Sequence, residues 1–278
     1  MSTMSFAYAI VALGVSASWH QATAEVHKFD SFVEWCENRE SLTSDARHTV
    51  EVLLRKAETD DCKVSEGYLV NLTELHLFLE RIEDITPLSS LTNLTSLTLW
   101  RGGIKDITPL SSLANLTSLT LSGNKIKDIT PLASLTNLSI LELQENQIQD
   151  ITSLSSLINL TYLNFGENLI KDVTSLSSLT NLTNMNLGIN KIEDITPLSS
   201  LTQLTYLNLA SNKIEDVTPL SSLTNLIELD LEENEIENIA PLSSLTKLTK
   251  VYLWGNPQLT NQTCPVELYS ICHFKSSE

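Results

Sequence analysis

Leu116-Thr117-Ser118-Leu119-Thr120-Leu121-Ser122-Gly123-Asn124-Lys125-Ile126-Lys127-Asp128-Ile129-Thr130-Pro131-Leu132-Ala133-Ser134-Leu135 is one unit of a pattern that returns every 22 residues. Its core, Leu-x-x-Leu-x-Leu-x-x-Asn-x-Ile-x-Asp-Ile-x-Pro-Leu-Ser-Ser-Leu, recurs nine times over residues 63–261 without insertion or deletion. Asn124, Asn146, Asn168, Asn190, Asn212, Asn234 and Asn256 hold that interval throughout. One such unit cannot bury its own apolar face, so units in fixed register must stack into a solenoid. Hydrophobic residues make up 42% of the chain but aromatic residues only 6%, so leucine supplies the core.

Each unit reads as one coil. Leu119-x-Leu121 has the period-2 alternation of a short strand, with Leu116 pointing inward beside it. Asn124 turns the chain, and its amide, which both donates and accepts, can satisfy backbone groups of neighbouring coils. Ile126 and Ile129 continue the core. Thr130-Pro131 reads as an N-cap followed by proline at the first helical position, giving a short helical turn on the outer side. The predicted fold is therefore an α/β solenoid. Its horseshoe or right-handed arc carries about nine parallel strands on the concave side, centred on Leu75, Leu97, Leu119, Leu141, Leu163, Met185, Leu207, Leu229 and Val251. Glu80 and Gly102 occupy the first two ladder positions and predict less regular turns there. Ser153 and Ser175 replace the proline.

The flanking segments differ in kind. Residues 1–24 carry no charged side chain, and an apolar run from Phe6 to Val15 precedes the small-x-small site Ala22-Thr23-Ala24. Ten apolar residues suit a signal peptide cleaved after Ala24 and are too few to span a bilayer, although the usual positive n-region is missing. Residues 25–62 form an N-terminal cap in which Val50, Leu53, Leu54 and Ala57 share a helical face, predicting one or two short helices. Residues 262–278 form a C-terminal cap.

Four cysteines, Cys36, Cys62, Cys264 and Cys272, flank the array and none lies inside the regular coils. Nine strands about 4.8 Å apart separate the two pairs by roughly 40 Å, beyond disulfide or shared-metal reach. With no Cys-x-x-Cys, no metal site is expected. The natural pairing is Cys36–Cys62 and Cys264–Cys272, which fits an oxidising compartment.

The formal charge of −17 argues against nucleic acid or an anionic membrane surface as partner. The five histidines are scattered, and there is no Gly-x-Ser-x-Gly, phosphate loop or His-Glu-x-x-His, so neither catalysis nor a cofactor is expected. Asn-Leu-Thr/Ser triplets at Asn71, Asn93, Asn115, Asn137, Asn159 and Asn181 match a glycosylation acceptor, yet recur because the unit recurs.

The repeat resembles the 22-residue class of leucine-rich repeats found in bacterial internalins. Trp35-Cys36 before the array and Cys264-Pro265-Val266 to Ser270-Ile271-Cys272 after it extend the resemblance to exported internalin-like proteins of cyanobacteria. The resemblance implies a binding scaffold, since internalins engage host receptors through the concave face. The sequence shows neither a wall-anchoring signal after Phe274 nor an adhesion module, so a role in host invasion is not carried over.

Outward positions on the strand side vary while inward ones hardly change. Trp100 and Arg101 make an aromatic-basic patch with Phe78. Tyr162 and Tyr206 flank a low region at Gly166, Gly188 and Ala210 that would admit a protruding group, with Asn164, Asn186 and Asn208 alongside. Asp230, Tyr252 and Trp254 lie beside Glu228, Glu232 and Glu233. Exposed Tyr and Trp are typical anchors of interfaces. Phe78 and Trp254 lie in end coils, where packing against the caps competes with binding. The expected function is recognition of a protein or glycan on the concave face by a secreted, periplasmic or envelope monomer. The other readings are a regulatory or inhibitory subunit and a structural envelope protein.

Overall fold

The computed structural model describes residues 29–265 and 271–275; the expected signal peptide at residues 1–24 lies outside them. Three helices form the N-terminal cap, one more than the apolar pattern predicted. Helix α1 (Phe32–Glu37) starts in a capping box between Ser31 and Glu34. Helix α2 (Ser44–Lys56) starts at Thr43, whose hydroxyl accepts from the Ala46 N–H. Helix α3 (Cys62–Leu69) starts at Asp61. These caps satisfy N–H groups that short helices leave open. Phe32, Trp35, Val50, Leu53 and Leu69 are buried, and the Cys36–Cys62 disulfide ties α1 to α3. Helix α3 takes the place of the first unit's opening, so the regular array begins at the first strand rather than at residue 63.

Among the described residues ten parallel strands follow in chain order as one open sheet: β1 (Glu74–Phe78), β2 (Ser96–Trp100), β3 (Ser118–Thr120), β4 (Ile140–Glu142), β5 (Tyr162–Asn164), β6 (Asn184–Asn186), β7 (Tyr206–Asn208), β8 (Glu228–Asp230), β9 (Lys250–Tyr252) and β10 (Cys272–His273). From β1 to β9 the register advances by one unit per strand, pairing Leu97 with Leu119, Leu119 with Leu141 and Leu141 with Leu163. The tenth strand belongs to the C-terminal cap. It pairs with β9 next to the Cys264–Cys272 disulfide and covers an edge that would otherwise stand open.

On the convex side each coil has a five-residue 3-10 turn, from Thr86–Ser90 to Ala240–Ser244. The turn does not start as the sequence predicts. Thr130 does not cap the turn but is its first residue, preceded by Ile129 with no side-chain cap bond. Asp128 does the capping, accepting from the Thr130 N–H at 2.8 Å, and Asp106, Asp150, Asp172, Asp194 and Asp216 repeat the bond. Ser153 and Ser175 gain bonds where proline has none, donating to Ile129 O and Ile151 O of the preceding coil.

Side-chain ladders stitch the coils. Asn146 donates to Leu121 O of the coil before and Leu143 O of its own, and accepts from Ile126 N. Thr117 donates to Thr95 O, and Ser112 to Ser89 O. Asn93, Asn115, Asn137, Asn159 and Asn181 each donate to a carbonyl one coil back, so these triplet amides are structural. At the first two turns, which lack the asparagine, the chain finds other partners. His48 and Thr49 of α2 bond Glu80 O and Asp84 O at 2.6 Å each. Gly102 donates to Asn124, and a Cβ there would lie 2.5 Å from Ile82 O, so only glycine fits.

Candidate functional site

Because the strands advance one unit at a time, residues 22 apart in sequence become neighbours in rows across the concave face. The central row reads Glu142, Asn164, Asn186, Asn208 and Asp230, on β4 to β8. One flanking row carries Ile140, Tyr162, Asn184, Tyr206 and Glu228. Burial raises the pKa values of Glu142, Tyr162, Tyr206 and Asp230. Burial also raises that of Glu232, with Asp230 and Glu233 adding repulsion.

The low region is narrower than the sequence suggests. A Cβ on Gly166 would meet the Asn186 amide at 3.1 Å, and one on Gly188 would meet Asn208 Oδ1 at 2.8 Å. The small residues are there because amides of the next coil lie over them. The central row also serves the fold. Asn164, Asn186, Asn208 and Asp230 accept from the N–H groups of Gly166, Gly188, Ala210 and Glu232. Asn164 is buried and also donates to Gln144 Oε1 at 3.0 Å, so it supports the face rather than meeting a partner.

The terminal aromatics differ in how far the caps cover them. Phe78 stays 57% exposed and stacks on His76, and Trp254 stays 38% exposed. Tyr252 stacks on His273 of the C-terminal cap at 5.0 Å between ring centroids. Arg101 lies over the Trp100 ring at 4.7 Å and reaches Glu145 two coils away at 3.0 Å. Gly123, between them, leaves room for it: a Cβ there would sit 2.4 Å from Arg101 Cγ. Arg101 is thus already paired on both faces.

One column escaped the sequence reading. The residue before each ladder position (Leu79, Arg101, Gly123, Glu145, Glu167, Ile189, Ser211, Glu233, Gly255) has φ between 52° and 76°. The chain turns left-handed there, and from Gly123 onward this aims the asparagine inward. Glycine, the signal that would have shown it, occupies only Gly123 and Gly255. Among the described residues no group of three or more His, Cys, Asp or Glu could hold a metal, and no helix is long and apolar enough to cross a membrane.

The leucine-rich repeat family model matches residues 114–156, 136–178, 158–200, 180–222 and 224–263. The chain belongs to the leucine-rich repeat family. Within it the likeness is to internalins. Internalin C2 of Listeria monocytogenes is 36% identical with a TM-score of 0.68, over 72% of this chain and 90% of that one. Internalin F of the same species is 33% identical with a TM-score of 0.64, over 83% and 73%. A leucine-rich repeat protein of Leptospira interrogans is 28% identical with a TM-score of 0.63, over 69% and 51%. No curated protein sequence matches the chain.

Proposed function

We propose that the protein is an exported, non-catalytic receptor that binds another protein through the concave face. The observation that carries this is the contrast between rows. Inward leucines barely change over nine coils, whereas the outward rows vary from coil to coil among Tyr, Asn, Trp and acids. Tyr162 and Tyr206 supply rigid, amphipathic area of the kind that anchors interfaces. Two disulfides with no free cysteine among the described residues support an oxidising compartment, and so export. Glycan binding is the second ligand class that tyrosines and amides would serve.

The test is capture of partners from cell-envelope and extracellular fractions with the disulfide-intact protein. A variant carrying Tyr162→Ala and Tyr206→Glu serves as the matched control. A protein retained by the parent and lost with the variant is the expected result. Equal capture by both would move binding off the concave face.

A further inference from the structure

The central row begins and ends in a carboxylate. Glu142 has no hydrogen-bond or ion-pair partner for its side chain among the described residues, and Asp230 has only the Glu232 N–H. Two cations of the same face are already taken: Lys250, on the strand beside that of Asp230, pairs with Glu228 at 3.7 Å, and Arg101 pairs with Glu145. Both carboxylates are partly desolvated, a costly state for an unpaired charge. Four strand steps of about 4.8 Å place them roughly 19 Å apart, the length of about six residues of extended chain. Between them Asn186 gives its oxygen to Gly188 N, and its NH2 has no acceptor among the described residues.

We propose that this row is the track for an extended segment of a partner protein carrying two basic side chains about six residues apart. One basic group meets Glu142 and the other meets Asp230, while a backbone carbonyl accepts from Asn186. The unused NH2 donor favours a peptide over a polyamine, which offers only donors. Tyr162 and Tyr206 wall one side of the track. The proposal rests on the concave-face reading above and names the chemistry of its partner.

The probe is a labelled heptapeptide with lysines at both ends of a threonine–serine spacer, titrated by fluorescence anisotropy against the disulfide-intact protein. Binding should weaken at least tenfold in Glu142→Gln and in Asp230→Asn, and further with added salt. It should not change in Asp216→Asn, an acid on the turn flank. Diacetylated peptide, or one with its lysines only two residues apart, should bind at least tenfold more weakly than the probe. Failure of the probe to bind, indifference to both row variants, or equal binding of the short-spaced peptide or spermine would overturn the proposal. If the probe fails while Tyr162→Ala/Tyr206→Glu still loses the captured partner, only the basic-segment assignment falls. If that capture is also unchanged, the concave-face reading falls with it.

Discussion

At the scale of single residues, the fold depends on asparagine, whose amide gives a turn both donors and an acceptor. Asn168 shows the full set, donating to Leu143 O and Phe165 O and accepting from Ile148 N. To place that side chain inside, the residue before it adopts left-handed φ, which costs an L-residue about 1–2 kcal/mol and is least tolerable for a β-branched one. Ile189 is the misfit, with φ of 57° and 54% of its surface exposed, so it gains little from burial. Ile189→Asn should therefore raise stability by about 0.5–1 kcal/mol, read as a higher urea midpoint at unchanged slope. A lower midpoint would mean that Ile189 makes a contact worth more than its strain.

At the scale of elements, the N-terminal cap does what the missing first asparagines cannot. Thr49 is fully buried and its hydroxyl bonds Asp84 O, while His48 serves Glu80 O. Thr49→Val keeps the shape but strands a half-buried carbonyl, so it should cost about 1–3 kcal/mol. Because each coil packs chiefly on its two neighbours, the damage should be local. Hydrogen exchange should quicken at β1 and β2 and stay unchanged at β5 to β7. Uniform acceleration along the array would show instead that the coils unfold as one unit.

At the scale of the whole molecule, two carboxylate populations pull stability in opposite directions with pH. Bonds from Thr130, Thr152, Thr174, Thr196 and Thr218 hold Asp128, Asp150, Asp172, Asp194 and Asp216 below the ordinary aspartate value of 3.8. Their contribution is complete above that value and is lost as pH falls through the lower folded one. Glu142, Asp230 and Glu232 are raised instead, so protonating them favours the folded state. Acid also relieves the self-repulsion of a net charge of −17. Urea midpoints should rise as pH drops from neutral toward the carboxylate range and fall again once pH passes below the ordinary aspartate value of 3.8. A maximum above pH 7 would contradict this balance.

The 22-residue register was enough to specify the solenoid, the parallel strands, the inward leucines and the pairing of the cysteines. Each of these follows from periodicity and reach, which are properties of the chain alone. The members of the Glu142-to-Asp230 row were also legible in the sequence, since equal spacing becomes adjacency once coils stack. It could not say which of them face a partner. Asn164 and Asn186 are the same residue one unit apart, yet Gln144 takes the amide of one and nothing among the described residues takes the other. The tightness of the glycine strip and the pairing of Arg101 with Glu145 likewise arise only between coils. So does the role of α2 in completing the first turns. Repetition dictates where side chains stand, but the contacts between neighbouring coils decide which polar atoms are already satisfied.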